Sequence, residues 1–215
     1  MTDDDNVALY LDAAHTFVEL VERIAPDQWA QPGLGSWDTR SLVGHTSRAM
    51  VTVLTYVDQP ADTEDIQTPE GYYALIATQQ TDPQAVAERG RQAGDALGAD
   101  PTAAVRDLQT RVTERLRHAD PAALITTIAG GMRLDNYLPT RTFELVVHSL
   151  DISAATGLDV VFAPEVINQA VALAACVAVA LGQGPALLTA MTGRTSLPVG
   201  FSVVGGTDAS PARPA

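Results

Sequence analysis

Apolar residues recur at three- and four-residue spacing along most of this chain, which is the period of an amphipathic α-helix. The pattern predicts a first helix over residues 5–24 and a second helix from the capping residue Asp38 to about Val57. Trp37 precedes that cap and can pack on Leu42 across the first turn. The amino-terminal part is therefore expected to be helical.

The helical pattern is interrupted over residues 58–82, which are acidic and contain two prolines, Pro60 and Pro69. This segment is predicted to be a long loop, and the aromatic pair Tyr72 and Tyr73 favours a partly packed lid over a free linker. Helical spacing resumes over residues 83–118 with a pause near Gly98. These two stretches are expected to form the third helical region.

Residues 125–131 favour β-structure but are few, so a turn or a brief extended segment is predicted there. Pro139 suits the first turn of a fourth helix, which is expected to end at Gly157. Residues 164–181 are apolar almost all round, which predicts a fifth helix enclosed by its neighbours. One short helix over 186–192 completes the helical prediction.

The predicted fold is mainly α-helical. A four-helix bundle occupies residues 1–157, and a carboxyl-terminal helical extension follows over 158–204. Within the extension, residues 197–204 are too short and too rich in helix and strand breakers for more than an irregular segment or a single edge strand. Residues 205–215 are predicted to be a disordered tail.

The net charge of -13 excludes the clustered positive charge that binding to nucleic acid or to an anionic membrane requires. No secretory signal and no membrane span are evident, which predicts a cytoplasmic protein. The single cysteine, Cys176, lies in an apolar run and is expected to be buried rather than reactive. A homodimer through an exposed apolar face of the bundle is compatible with this sequence.

Glu144 and His148 are four residues apart in the predicted fourth helix, so both side chains lie on one face and can reach one ion. His45 lies on the apolar face of the second helix and is the best candidate for a third ligand. A carboxylate on a largely apolar helix needs a partner, and a shared cation supplies one. Asp151 is placed to orient the ring of His148, although a surface role is equally compatible.

Two imidazoles and one carboxylate with open positions form the ligand set of catalytic zinc. The same set also suits ferrous iron, so iron or another divalent ion remains an alternative. Arginine is the natural anchor for a carboxylated substrate, and Arg141 and Arg194 are the two candidates. Tyr137 is a further candidate, as a hydrogen-bond donor to a developing oxyanion.

The chain resembles the mycothiol-dependent maleylpyruvate isomerases in two stretches. The resemblance is carried by Trp37 with the run 42–45 and by the longer run 131–151, and it extends over roughly residues 5–157. It implies a DinB-like four-helix bundle in which His45, Glu144 and His148 bind zinc. It also implies mycothiol, a low-molecular-weight thiol, as cosubstrate.

The same resemblance implies that the activated thiol attacks a small electrophile. Addition to a cis double bond followed by release gives an isomerase, whereas retention of the thioether gives an S-transferase. Family members carry a fuller second domain than this chain offers after residue 157. Two alternatives remain: a non-catalytic metal-containing bundle that binds a ligand or partner, and a metal-dependent hydrolase with Asp38 or Asp151 as nominal base.

Overall fold

The computed structural model describes residues 3–79 and 82–204, in which eight α-helices and one β-hairpin form the regular structure. In chain order these elements are α1 (Asp3–Glu22), α2 (Thr39–Tyr56), α3 (Pro69–Thr78), α4 (Pro83–Ala96), α5 (Pro101–Leu116), β1 (Leu124–Thr127), β2 (Gly130–Arg133), α6 (Leu134–Thr156), α7 (Pro164–Ala180) and α8 (Gly184–Met191). The mainly α-helical class is confirmed. The predicted disordered tail, residues 205–215, lies outside the described residues.

Four helices, α1, α2, α5 and α6, pack around one apolar core. The largest fully buried side chains come from all parts of this bundle and include Tyr10 and Phe17 of α1, Met50 of α2 and Leu145 of α6. Asp38 caps α2 as predicted, because its carboxylate accepts a 2.7 Å hydrogen bond from the backbone nitrogen of Ser41. The predicted boundary at residue 157 coincides with the end of α6 and stays a prediction as a domain division.

Helix α4 packs against α2 through glycines, and this contact seats the start of α2. A Cβ atom on Gly44 would overlap the backbone of Gly94, so the two helices approach more closely than any side chain allows. Gly90 likewise leaves room for the indole ring of Trp37, whose Nε1 donates a 2.9 Å hydrogen bond to the carbonyl oxygen of Ala87. The glycine before His45 therefore fixes the position of that histidine.

Replacing Gly44 by alanine is expected to lower the free energy of unfolding by about 2–3 kcal/mol, because a backbone contact cannot relax as a flexible side chain does. Thr55→Ala is the matched control, since Thr55 is exposed on the same helix. Denaturant unfolding of both variants measures the difference. Equal stability of the two would contradict the close approach of α2 and α4.

The segment over residues 58–82 is partly packed as predicted, but it is not a loop throughout, because it contains α3. Thr68 caps this helix by accepting from the backbone nitrogen of Gly71, and Pro69 occupies its first turn. Tyr72 and Tyr73 are buried, as a packed segment requires. Thr68 followed by Pro69 is a sequence pattern typical of the start of a helix. The pattern is weak evidence here, because the helix that follows has only ten residues.

The short β-favouring segment forms the antiparallel hairpin of β1 and β2, with Ile125 opposite Met132. Helix α6 follows β2 directly, so the prediction that Pro139 occupies the first turn is wrong. Pro139 lies inside the helix and cannot donate to the carbonyl oxygen of Asp135. The side-chain nitrogen of Asn6 on α1 donates to that oxygen at 3.0 Å, which compensates for the missing bond.

Helix α7 is not enclosed, which corrects the prediction from its apolar composition. One face packs on α1, α3 and α6, whereas Val171 and Val179 on the other face are 55% and 66% exposed. Cys176 is also exposed, so its predicted burial is wrong. The apolar composition of a helix does not determine how many other helices pack against it.

Of the two alternatives predicted for residues 197–204, the structure has the irregular segment and not the single edge strand. Its proline and glycine interrupt regular structure. Within the described ranges, no helix combines the length and the apolarity that crossing a bilayer requires.

Candidate metal centre

The structure brings His45, Glu144 and His148 together where α2 faces α6. One potential ligand atom from each lies within 4.8 Å of the others. Zinc–ligand bonds are about 2.0–2.2 Å long, so the donor atoms around one tetrahedral ion lie about 3.5 Å apart. Side-chain adjustments of about 1 Å would close that gap, and the three residues fit a divalent ion.

His148 contacts two carboxylates, one from Glu144 and one from Asp151. Nε2 of His148 lies 3.2 Å from Oε2 of Glu144, and the two side chains are 15% and 23% exposed. Nδ1 of His148 lies 3.0 Å from Oδ2 of Asp151, which is the contact that the sequence spacing predicts for an orienting carboxylate. Asp151 therefore fixes the ring so that Nε2 points at Glu144.

Charge is unevenly distributed among the three candidate ligands. Burial alone would lower the pKa of His148, but its hydrogen bonds to Asp151 and Glu144 outweigh that effect and raise it to about 9. Burial alone would raise the pKa of Glu144, but the hydrogen bond to His148 and the charge of Arg141 hold it well below its usual value. Without an ion, a proton on His148 thus neutralises part of the buried negative charge.

His45 differs from His148 because it has no acidic partner. Burial and the neighbouring His148 lower the pKa of His45 to about 3, so the ring is neutral at physiological pH. Its ring packs against that of Trp37 at 4.5 Å between centroids, tilted by 34°, and lies edge-on to His148 at 4.8 Å. Nδ1 of His45 is buried and has no hydrogen-bond partner among the described residues. A neutral imidazole with an unused nitrogen is the form that binds metal ions.

A cavity of about 80 Å³ is lined by two of the three candidate ligands, His45 and Glu144. His45 and Glu144 form one part of its wall, and Arg141 forms another. Arg141 is only 9% exposed, and its guanidinium carbon lies 4.9 Å from the ring centre of Tyr137 and 5.5 Å from that of Tyr72. The site thus combines a candidate ion site with a buried cation in an aromatic cage.

The guanidinium of Arg141 is only partly satisfied by the protein. Its Nε donates to Oγ1 of Thr140 at 3.0 Å, whereas Nη1 and Nη2 make no hydrogen bond to any residue within 3–79 and 82–204. No described carboxylate lies within ion-pair distance of it either. A buried cation with two free donor groups beside a cavity is suited to binding an anion.

The other two predicted site residues are placed differently. Tyr137 lines the cavity, but its hydroxyl donates to Oγ1 of Thr52 at 2.9 Å and is engaged in packing. Arg194 is exposed after α8, where its Nη1 donates to the carbonyl oxygen of Thr192 at 3.1 Å. Arg194 does not line the cavity, so its role as a substrate anchor stays a prediction without support from this geometry.

Two site residues were missed by sequence reasoning. Arg48 lines the cavity and follows His45 by three residues on α2, so helical spacing could have placed it there. Tyr73 donates a 2.8 Å hydrogen bond to Oε1 of Glu144 from α3. No local signal could have found that contact, because it joins residues 71 positions apart in the chain.

A protein-family model described as the mycothiol maleylpyruvate isomerase N-terminal domain matches residues 10–153. The chain belongs to this family. The match includes all three candidate ligands, His45, Glu144 and His148, and confirms the prediction that the chain belongs to a family of enzymes. Among curated protein sequences, none matches this chain.

Solved structures show the same likeness at the level of the fold. A crystal structure of the mycothiol-dependent maleylpyruvate isomerase aligns with a TM-score of 0.50 and 15% sequence identity, covering 80% of this chain and 68% of that one. A histidine-to-alanine mutant of a protein with the same description aligns with a TM-score of 0.46 at the same identity and coverage.

Proposed function

We propose that this maleylpyruvate isomerase-like chain is a zinc-dependent enzyme that uses a low-molecular-weight thiol, mycothiol, to attack a small electrophile. The observation that carries the proposal is the convergence of His45, Glu144 and His148 beside a cavity that also contains Arg141. Three protein ligands leave an open position, which is typical of catalytic rather than structural zinc. Ferrous iron or another divalent ion remains an alternative for the same ligands.

In this proposal His45, Glu144 and His148 hold the ion, and Asp151 keeps the His148 ring oriented. When bound, the ion stabilises a thiolate, which would otherwise be mostly protonated at neutral pH. The partial burial of His148 and Glu144 limits the water that competes for the open position. The cytoplasm, where low-molecular-weight thiols stay reduced, is the compartment that suits this chemistry.

The sulfur electron pair forms a C–S bond to one carbon of a cis double bond, and the displaced π electrons move onto the conjugated carbonyl group. The former double bond is then single and rotates. Expulsion of the thiolate breaks the C–S bond and restores the double bond in the trans form. If the adduct instead takes up a proton, the thioether persists and the reaction is an S-transfer.

Arg141 is proposed to bind a carboxylate of the electrophile through its free Nη1 and Nη2 groups. The rings of Tyr72 and Tyr137 both contact the guanidinium, which limits the conformational freedom lost on binding. Tyr137 is proposed to contribute to the wall of the binding site. A homodimer through an exposed apolar face of the bundle stays a prediction.

Among residues 3–79 and 82–204, no contact favours direct hydrolysis. Asp38 caps α2 through the backbone of Ser41, and Asp151 is engaged with His148, so both nominal bases have other partners. A purely structural ion is not favoured either, since a fourth protein ligand would be expected. Among the described residues, the group of potential ligands contains these three side chains.

The test is to incubate the zinc-loaded protein with mycothiol and maleylpyruvate, and then with a panel of other small electrophiles. We expect isomerisation or thiol consumption that requires both the thiol and the ion. Glu144→Gln serves as the inactive control, because it removes one charged ligand while nearly preserving shape. Rates equal to those of the Glu144→Gln variant for every electrophile would refute the proposed function.

A further inference from the structure

Tyr73 contacts the candidate metal centre from outside the ligand set. Its ring is buried, and its hydroxyl lies 2.8 Å from Oε1 of Glu144 and 3.1 Å from the carbonyl oxygen of Thr140. The single hydroxyl hydrogen favours the carboxylate, since a charged acceptor makes the stronger bond.

The two oxygens of Glu144 therefore have different partners. Oε1 accepts from Tyr73, whereas Oε2 faces Nε2 of His148 at 3.2 Å. A carboxylate can give a divalent ion one oxygen or both. A hydrogen bond to Oε1 favours the arrangement in which only Oε2 binds.

The phenol of Tyr73 is held by the surrounding helices and does not depend on Glu144 for its position. Its ring lies 5.5 Å from that of Phe143 on α6 and 5.6 Å from that of Tyr72 on α3, both at steep angles. Helix α3 itself packs against α6 and α7. The donor is therefore in place before any ion binds, as an orienting group must be.

We propose that Tyr73 is a positioning residue that restricts Glu144 to one-oxygen coordination and so keeps a position on the ion free for the thiol. Without the hydroxyl, Oε1 is released to bind the ion as well. A second carboxylate oxygen would raise the coordination number and compete with sulfur for the open position. The proposal rests on the proposed function, because it needs an ion between these three residues.

The experiment compares wild type with Tyr73→Phe after loading both with Co²⁺, whose visible absorption weakens as coordination rises above four. Tyr73→Phe is expected to bind one Co²⁺ but to show a weaker visible band than wild type. Titration with N-acetylcysteine follows the sulfur-to-cobalt charge-transfer band. The variant is expected to need about tenfold more thiol for half-saturation, which is the lower end of the effect of changing an outer-shell partner.

Tyr10→Phe is the matched control, because Tyr10 is also buried but donates to the backbone carbonyl oxygen of Ala49 and not to a candidate ligand. It is expected to reproduce the wild-type spectrum and thiol titration. Tyr73→Met also lacks a donor and must behave as Tyr73→Phe does, which covers the case in which one variant folds poorly.

Identical spectra and thiol titrations for wild type and Tyr73→Phe would overturn the inference. Loss of Co²⁺ binding in Tyr73→Phe would also overturn the inference. The hydroxyl would then be needed for binding the ion itself and not for keeping a coordination position free. If wild type itself bound no Co²⁺, or bound it without any response to thiol, the proposed function would fail instead. The two failures are thus distinguishable.

Discussion

Replacing His45 by alanine is expected to abolish stoichiometric zinc binding. His45 is the only candidate ligand from α2, and its loss leaves Glu144 and His148, which already satisfy each other through a 3.2 Å contact. Changing an outer-shell partner costs up to about 100-fold in metal affinity, so loss of a direct ligand should cost more. Competition against a chromophoric chelator measures the affinity of the purified protein.

His15→Ala and His118→Ala are the controls for this variant, since both histidines are exposed and lie outside the candidate centre. They are expected to retain one zinc ion per chain. Zinc should also raise the melting temperature of wild type and of both controls, because an ion that binds only the folded state stabilises it. If His45→Ala bound zinc as tightly as wild type, His45 would not be a ligand and α2 would contribute nothing to the metal site.

Replacing Arg141 by methionine is expected to lower kcat/KM for a carboxylated electrophile by about 100-fold or more. Hydrogen bonds to charged groups contribute about 1.5–3 kcal/mol each, and Nη1 and Nη2 can together donate two of them. Each 1.4 kcal/mol corresponds to about a factor of ten. Methionine fills much of the same volume between Tyr72 and Tyr137, which limits collapse of the cavity.

The loss of kcat/KM in Arg141→Met should depend on the charge of the electrophile. The neutral methyl ester of the same compound is expected to react at similar rates with wild type and Arg141→Met. Zinc content should remain at one ion per chain, because Arg141 is not a ligand. Arg133→Met is the matched control, since Arg133 pairs with Glu64 outside the cavity. An equal loss for the acid and the ester would contradict the anchoring role.

The convergence of the three candidate ligands was predictable because two of them share a helix. A four-residue spacing fixes Glu144 and His148 on one face of α6 whatever the rest of the fold does. His45 could be added because its place on the apolar face of α2 directs it inward. Asp151 was predictable for the same reason, being three residues beyond His148 on α6.

What could not be predicted depends on contacts between distant segments. The close approach of Gly44 and Gly94 and the bond from Tyr73 to Glu144 join different helices, and no periodicity encodes them. Arg141 and Arg194 carry the same charge, and the sequence could not tell that one is buried beside a cavity and the other exposed. Pro139 within α6 was missed because its compensation by Asn6 comes from α1.

The most direct test of the central claim is a crystal grown with zinc, with diffraction recorded on both sides of the zinc absorption edge. The account predicts one anomalous peak per chain, about 2.0–2.2 Å from a ring nitrogen of His45, a ring nitrogen of His148 and a carboxylate oxygen of Glu144. No fourth protein ligand should be present. A peak elsewhere, no peak, or a site closed by a fourth side chain would contradict it.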